Sequence, residues 1–133
     1  MTAWFADTHY FLAVLNAADE AHGQARELTR SARARLVTTH WVLTEVGNAL
    51  REPANRGRFA RLLAALQSKP DVEIVEASGA LFDGGVRLYG ERPDKAWSLT
   101  DCISFVVMQE RGIHDALTGD RHFEQAGFVA LLK

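Results

Sequence analysis

Seventeen of the 133 residues are acidic, and four of them stand where a carboxylate is hard to explain as plain surface charge. Asp7 interrupts two apolar runs, Ala3-Trp4-Phe5-Ala6 before it and Tyr10-Phe11-Leu12 after it. Glu45 has Trp41, Val42, Asn48 and Ala49 as its helical neighbours three and four positions away, so it faces a largely apolar side. Asp101 falls in the first turn of a strongly apolar helix that begins near Ser98, and Asp120 follows the apolar run ending at Thr118. Carboxylates are rarely buried without a partner, and several brought together raise one another's pKa. A divalent cation removes that conflict, and oxygen ligands suit Mg²⁺ or Mn²⁺. Carboxylate-held ions of this kind serve in-line attack on a phosphodiester.

Each acid also has a plainer explanation. Asp7 and Asp120 fit helix N-caps, Ser98 with Asp101 fits a variant capping box, and Glu45 fits a half-exposed helix acid. Taken singly, these explanations are at least as good as the chemical one. The elements that carry the acids change the balance. Strands are expected at Ala3–Ala6, Leu36–Thr39, Val72–Val75, Asp115–Thr118 and Phe128–Leu131. Helices are expected at Thr8–Leu15, Ala18–Ala34, Trp41–Arg51, Arg58–Gln67, Ser78–Tyr89 (weakened by Gly84-Gly85) and Ser98–Arg111. A loop at Gly90–Lys95 and a helical turn at Arg121–Ala126 complete the order, and Gly112 and Pro53 mark helix ends. Short apolar strands alternating with helices predict an α/β fold, a parallel sheet with helices on both faces. Such sheets bind ligands at the carboxyl ends of their strands. All four acids fall at strand ends or helix starts, which share that edge.

Composition narrows the alternatives. An apolar share of 47% and a charged share of 24% are those of an ordinary globular domain, and the length predicts a single domain over residues 1–133. A net charge of −2 argues against coating nucleic acid by bulk charge. The lone cysteine, Cys102, permits neither an internal disulfide nor a cysteine zinc site and reads as core, which fits a reducing, cytoplasmic setting. The first apolar run is broken at once by Asp7 and His9 and does not read as a signal peptide. Cys102–Met108, the most apolar later stretch, is far shorter than the ~20 residues of a membrane span. The five histidines lack zinc-ligand spacing. His122 reads as a turn or surface residue and His9 as a capping or packing one. No Gly-rich phosphate loop occurs.

The ordered set of Asp7-Thr8, Leu43-Thr44-Glu45-Val46, Ser98-Leu99-Thr100-Asp101 and Thr118-Gly119-Asp120-Arg121-His122-Phe123, with the closing Gln125-Ala126-Gly127-Phe128, resembles the PIN-domain ribonucleases, especially the VapC toxins of bacterial toxin–antitoxin pairs. The resemblance covers nearly the whole chain. It implies a three-layer α/β/α sandwich around a central, mainly parallel sheet of four to five strands, and a metal-dependent endoribonuclease. Asp7, Glu45, Asp101 and Asp120 would be its catalytic acids, holding Mg²⁺ or Mn²⁺, and one carboxylate would accept a proton. Thr8, Thr118 and Asn48 would support them from behind, and Arg51, Arg56 and Arg121 would meet the RNA backbone. A cognate antitoxin and a homodimer are further implications. The rival readings are a PIN-fold nuclease acting on DNA or on a particular nucleic-acid structure, and a non-catalytic α/β binding module with an acidic pocket. A receiver-type module would want an Asp ending the third strand, where this chain has Glu76-Ala77.

Overall fold

Strand and helix alternate along the chain as β1 (Thr2–Ala6), α1 (Thr8–Leu15), α2 (His22–Ser31), β2 (Ala34–Thr39), α3 (His40–Ala49), α4 (Arg56–Ser68), β3 (Val72–Val75), α5 (Gly79–Glu91), α6 (Leu99–Arg111), β4 (Asp115–Leu117), α7 (Arg121–Gln125) and β5 (Val129–Ala130). The computed structural model describes residues 2–133. The five strands form one sheet in the order β3-β2-β1-β4-β5, with every pairing parallel. β1 is therefore the middle strand. Its residues Trp4, Phe5 and Ala6 stand opposite Asp115, Ala116 and Leu117 of β4, while Trp4 and Phe5 stand opposite Leu36 and Val37 of β2.

The order of strands carries a consequence for function. From β1 the chain moves outward through β2 to β3, then crosses back to β4 and moves outward the other way to β5. Parallel crossovers are right-handed, so the two directions place their helices on opposite faces. Accordingly α1 packs on α2 and α3, whereas α5 packs on α6 and α6 on α7. The direction reverses between β1 and β4, and it is at such a reversal that open α/β sheets leave a crevice at their carboxyl edge. Asp7 ends β1 and Thr118 to Asp120 follow β4, so both flank that crevice.

The core is built from side chains of both helical layers on the two faces of β1 and β4. Phe5, Phe11, Phe105 and Phe123 are fully or almost fully buried. Phe105 meets Phe123 edge-on at 4.9 Å between ring centroids and Trp97 edge-on at 5.0 Å. Trp97 Nε1 donates to Gln125 Oε1 (3.0 Å). These contacts tie the start of α6 to α7, and the two helices carry Asp101 and Asp120. Cys102 is buried and free, as expected of a core thiol.

Several expected boundaries are corrected. The helix expected over Ala18–Ala34 is reduced to α2. Before it, Asn16 Oδ1 accepts from the Ala18 N–H and Asp19 Oδ1 from the Ala21 N–H, so side chains compete with the helix for the backbone donors. After it, Ala34 already pairs with Thr2 in the sheet. The loop expected from Gly90 starts later, because α5 runs through Gly90 to Glu91. Gly85 does more than weaken α5. A Cβ there would lie 2.3 Å from Ile103 Cγ1 and 3.3 Å from the Ile103 backbone, so its absence is what lets α5 lie close on α6.

Candidate active site

Asp7 is buried at the carboxyl end of β1 and precedes α1, yet its side chain makes no capping hydrogen bond to that helix. Its Oδ2 instead accepts from the Thr118 hydroxyl (2.9 Å), which arrives from the neighbouring strand end. The same Thr118 oxygen accepts from the Asp120 N–H (3.1 Å). One fully buried hydroxyl thus fixes both the Asp7 carboxylate and the backbone that presents Asp120. Burial pushes the Asp7 carboxyl up to about 7; the Thr118 hydroxyl and the Thr8 amide only partly offset it, and the charges of Asp101 and Glu45 push it further up.

Glu45 lies half-buried on α3, and its Oε1 accepts from the Thr8 hydroxyl (2.6 Å). Thr8 and Thr118 therefore act alike, each holding one carboxylate in a single orientation. Asp101 sits in a complete capping box. The Ser98 hydroxyl accepts from the Asp101 N–H (3.0 Å), and Asp101 Oδ2 accepts from the Ser98 N–H (3.1 Å). Its carboxyl is raised by burial and by the charge of Asp120. Asp120 caps α7, its Oδ1 accepting from the His122 N–H (2.9 Å). The capping explanation is thus correct for Asp101 and Asp120 and fails for Asp7, and it does not compete with a chemical role. A capping carboxylate keeps lone pairs to spare.

His122 departs from expectation. Its ring is not a free surface group: Nδ1 lies 3.2 Å from Asp101 Oδ2 and 3.4 Å from Asp120 Oδ1. Ligating atoms of Asp101, Asp120 and His122 all lie within 4.8 Å of one another. The signal available in sequence was its place two residues after a capping aspartate; its contact with Asp101, 21 residues away, was not readable. His9 behaves as a packing residue. Its Nδ1 accepts from the Gly119 N–H (3.1 Å), and a Cβ on Gly119 would stand 2.8 Å from His9 Cε1. Because Nδ1 accepts from an amide, its proton is carried on Nε2. The ring thereby clamps the Thr118-Gly119-Asp120 turn at Gly119.

Asn48 is exposed, and among the described residues its side chain makes no hydrogen bond to any of the four carboxylates. It shares a hollow of about 340 Å³ with Arg51 and Arg56, floored by Leu50 and Phe59. Arg121 is exposed beside Asp120. Tyr10 is buried, its hydroxyl hydrogen-bonded to Thr29. Among the described residues no helix is long and apolar enough to cross a membrane.

A parallel sheet with Asp7 at the end of its middle strand, under the charges of Asp101 and Glu45, and with Asp120 acting on Asp101, defines a class of protein. The PIN domain family matches residues 4–129, and the chain belongs to that family. It is 30% identical over 125 residues to the 23S rRNA-specific endonuclease VapC20 from two strains of Mycobacterium tuberculosis, an alignment covering 94% of this chain and 95% of the relative. The crystal structure of Mycobacterium tuberculosis VapC20, described as a sarcin-ricin loop cleaving toxin, superposes with a TM-score of 0.85 at 29% identity, covering 96% of this chain and 97% of that one. The all-parallel five-stranded sheet with its flanking helices is the PIN-like architecture that the sequence resemblance implied.

Proposed function

We propose that Asp7, Glu45, Asp101 and Asp120 are the catalytic acids of this chain, that they hold Mg²⁺ or Mn²⁺, and that residues 1–133 act as a single PIN domain. The chain is a metal-dependent endoribonuclease of the VapC type. The observation that carries the site assignment is Asp7. A carboxylate this deeply buried, with the charges of Asp101 and Glu45 both acting against its ionisation, is held near a pKa of 7 by the protein alone. A site that crowds acids in this way is stable at neutral pH when a cation balances them. The donors present, hard carboxylate oxygens at a crevice edge, fit a divalent ion of the Mg²⁺ class.

Such an ion, when bound, supplies a water of lowered pKa and polarises the scissile phosphate. The chain's own residues do the rest. Thr118 and Thr8 fix one oxygen each of Asp7 and Glu45, leaving the other oxygens for the ion. Ser98 and the His122 amide orient Asp101 and Asp120, whose accepting oxygens each keep a further lone pair. Arg51, Arg56 and Asn48 around one hollow, and Arg121 beside Asp120, supply cationic and polar groups for an RNA backbone.

The substrate is RNA. The names of the relatives at 30% identity make ribosomal RNA of the large subunit the first substrate to test. The partner is a cognate antitoxin, whose C-terminal segment covers the acidic crevice, and the toxin works as a homodimer in the cytoplasm. The test is Asp7→Asn, which keeps the shape and removes the charge. Cleavage of RNA in Mg²⁺ or Mn²⁺ is expected to fall to background while the circular dichroism spectrum is unchanged. Cleavage at the wild-type rate by the folded variant would remove Asp7 from the machinery.

A further inference from the structure

Three features lie outside the four-acid reading: the hollow of about 580 Å³ between α3, α4 and β3, the polar hollow beside His9, Asp19 and Lys133, and the imidazole of His122. The last is carried furthest by its geometry. We propose that His122 is a nitrogen ligand of the cation site, and that this ligand makes the chain prefer Mn²⁺ to Mg²⁺. The proposal rests on the reading of Asp101 and Asp120 as metal-holding residues.

Nδ1 of His122 faces one oxygen of Asp101 and one of Asp120, at 3.2 and 3.4 Å. Adjacent ligands of an octahedral ion, each ~2.1 Å from the metal, stand ~3 Å apart. Nδ1 therefore stands from each of the two oxygens at about the separation of adjacent ligands, and the ligating atoms of all three residues lie within 4.8 Å of one another. The ring is held in place, not free to swing. The backbone N–H of His122 donates to the Asp120 carboxylate (2.9 Å), and Phe123 beside it is fully buried. Its side chain is only 22% exposed, a low value for a histidine with a merely solvated role. Carboxylate and water ligands suit Mg²⁺, whereas an imidazole shifts preference toward first-row transition ions. For Nδ1 to bind a metal the ring proton must sit on Nε2, the tautomer that leaves the Nδ1 lone pair directed at the two acids.

The contrasting role for the same contact is a hydrogen bond, with Nδ1–H donating to Asp101 and no part in ligation. His122→Asn separates the two, because an asparagine amide can still donate to Asp101 from a similar position but brings no imidazole nitrogen. Mn²⁺ binding to the full chain is measured by electron paramagnetic resonance, and the bound ion is examined for ¹⁴N coupling by electron spin echo modulation. Mg²⁺ competition gives the preference. The wild-type chain is expected to show imidazole ¹⁴N coupling. In His122→Asn the coupling is lost and the Mn²⁺ over Mg²⁺ affinity ratio falls by about tenfold. His122→Ala should give the same loss. Bound Mn²⁺ without nitrogen coupling in the wild type, or an unchanged ratio in His122→Asn, overturns the nitrogen ligand while leaving the four-acid site standing. Failure of Mn²⁺ to bind the wild type at all overturns both.

Discussion

The two halves of the acidic crevice are built on different principles. Asp101 and Asp120 are held locally, by a capping box and an N-cap whose partners lie two or three residues away. Asp7 and Glu45 are held by hydroxyls from distant parts of the chain, Thr118 at a separation of 111 residues and Thr8 at 37. Asp7 is the most deeply buried of the four, while the Asp120 side chain is 34% accessible. A carboxylate set by a helix cap is rigid as soon as the helix forms. One set by a remote hydroxyl is rigid only when the sheet is in register. The half held by remote hydroxyls, with the buried Asp7, should therefore govern both the chemistry and the electrostatic strain of the metal-free protein.

The sharpest break of that comparison is Asp7→Asn, examined for stability as well as activity. Asp7 has its folded pKa raised from 3.8 to about 7. Its contribution is fully present below pH 3.8 and is lost as pH rises toward 7, because the folded state must then carry a buried charge. In chelator, the wild type should lose up to about 4 kcal/mol on this account between pH 4 and 7.5, and Asp7→Asn should not. Urea unfolding at the two pH values checks it, and equal pH slopes for the two proteins would refute the assignment. Added Mg²⁺ or Mn²⁺ should restore stability to the wild type at pH 7.5 and do much less for the variant.

Thr118→Val comes next. It removes the donor to Asp7 and leaves the Asp120 N–H without its acceptor inside the protein. Activity should drop roughly 10–100-fold, with a stability loss of about 1–3 kcal/mol. Thr8→Val touches only the half-buried Glu45 and should cost less on both counts; a larger effect at Thr8 would reverse the ranking of the two halves. Gly119→Ala probes the clamp from the other side, since its methyl would meet His9 Cε1 at 2.8 Å. A loss of about 1–2 kcal/mol is expected, and thermal melts should find most of it gone in a His9→Ala background. If the two losses simply add, the ring does not clamp the turn. The smallest effect belongs to the local half. Ser98→Ala removes one cap, at a cost of about 1 kcal/mol, and should reduce turnover only slightly, because Asp101 keeps its backbone bond from Ser98.

The local half was also the more legible one. The capping box of Ser98 and Asp101 and the cap at Asp120 are encoded in adjacent residues, and both were expected in their observed places. So were α1 and β3, to the residue. The errors arose where side chains or remote strands decide the outcome. Asn16 and Asp19 shorten α2 by taking its backbone donors, and pairing with Thr2 draws Ala34 into the sheet. Asn48 shows the limit of helical spacing. Three residues on from Glu45 it is turned by about 60° around the helix axis, enough to face the Arg51 hollow in place of the acids.

By itself the sequence determined the alternation of strands and helices and the presence of four acids at one edge of a parallel sheet. Periodicity and capping are short-range, and a strand that precedes a helix puts its last residue at the carboxyl edge whatever else the chain does. Only the tertiary structure decided which groups those acids meet. The bonds from Thr118 to Asp7, Thr8 to Glu45, His122 to Asp101 and Gly119 to His9 span 21 to 111 residues. Each depends on strand register and on a rotamer fixed by packing, and neither is written in neighbouring positions of the chain.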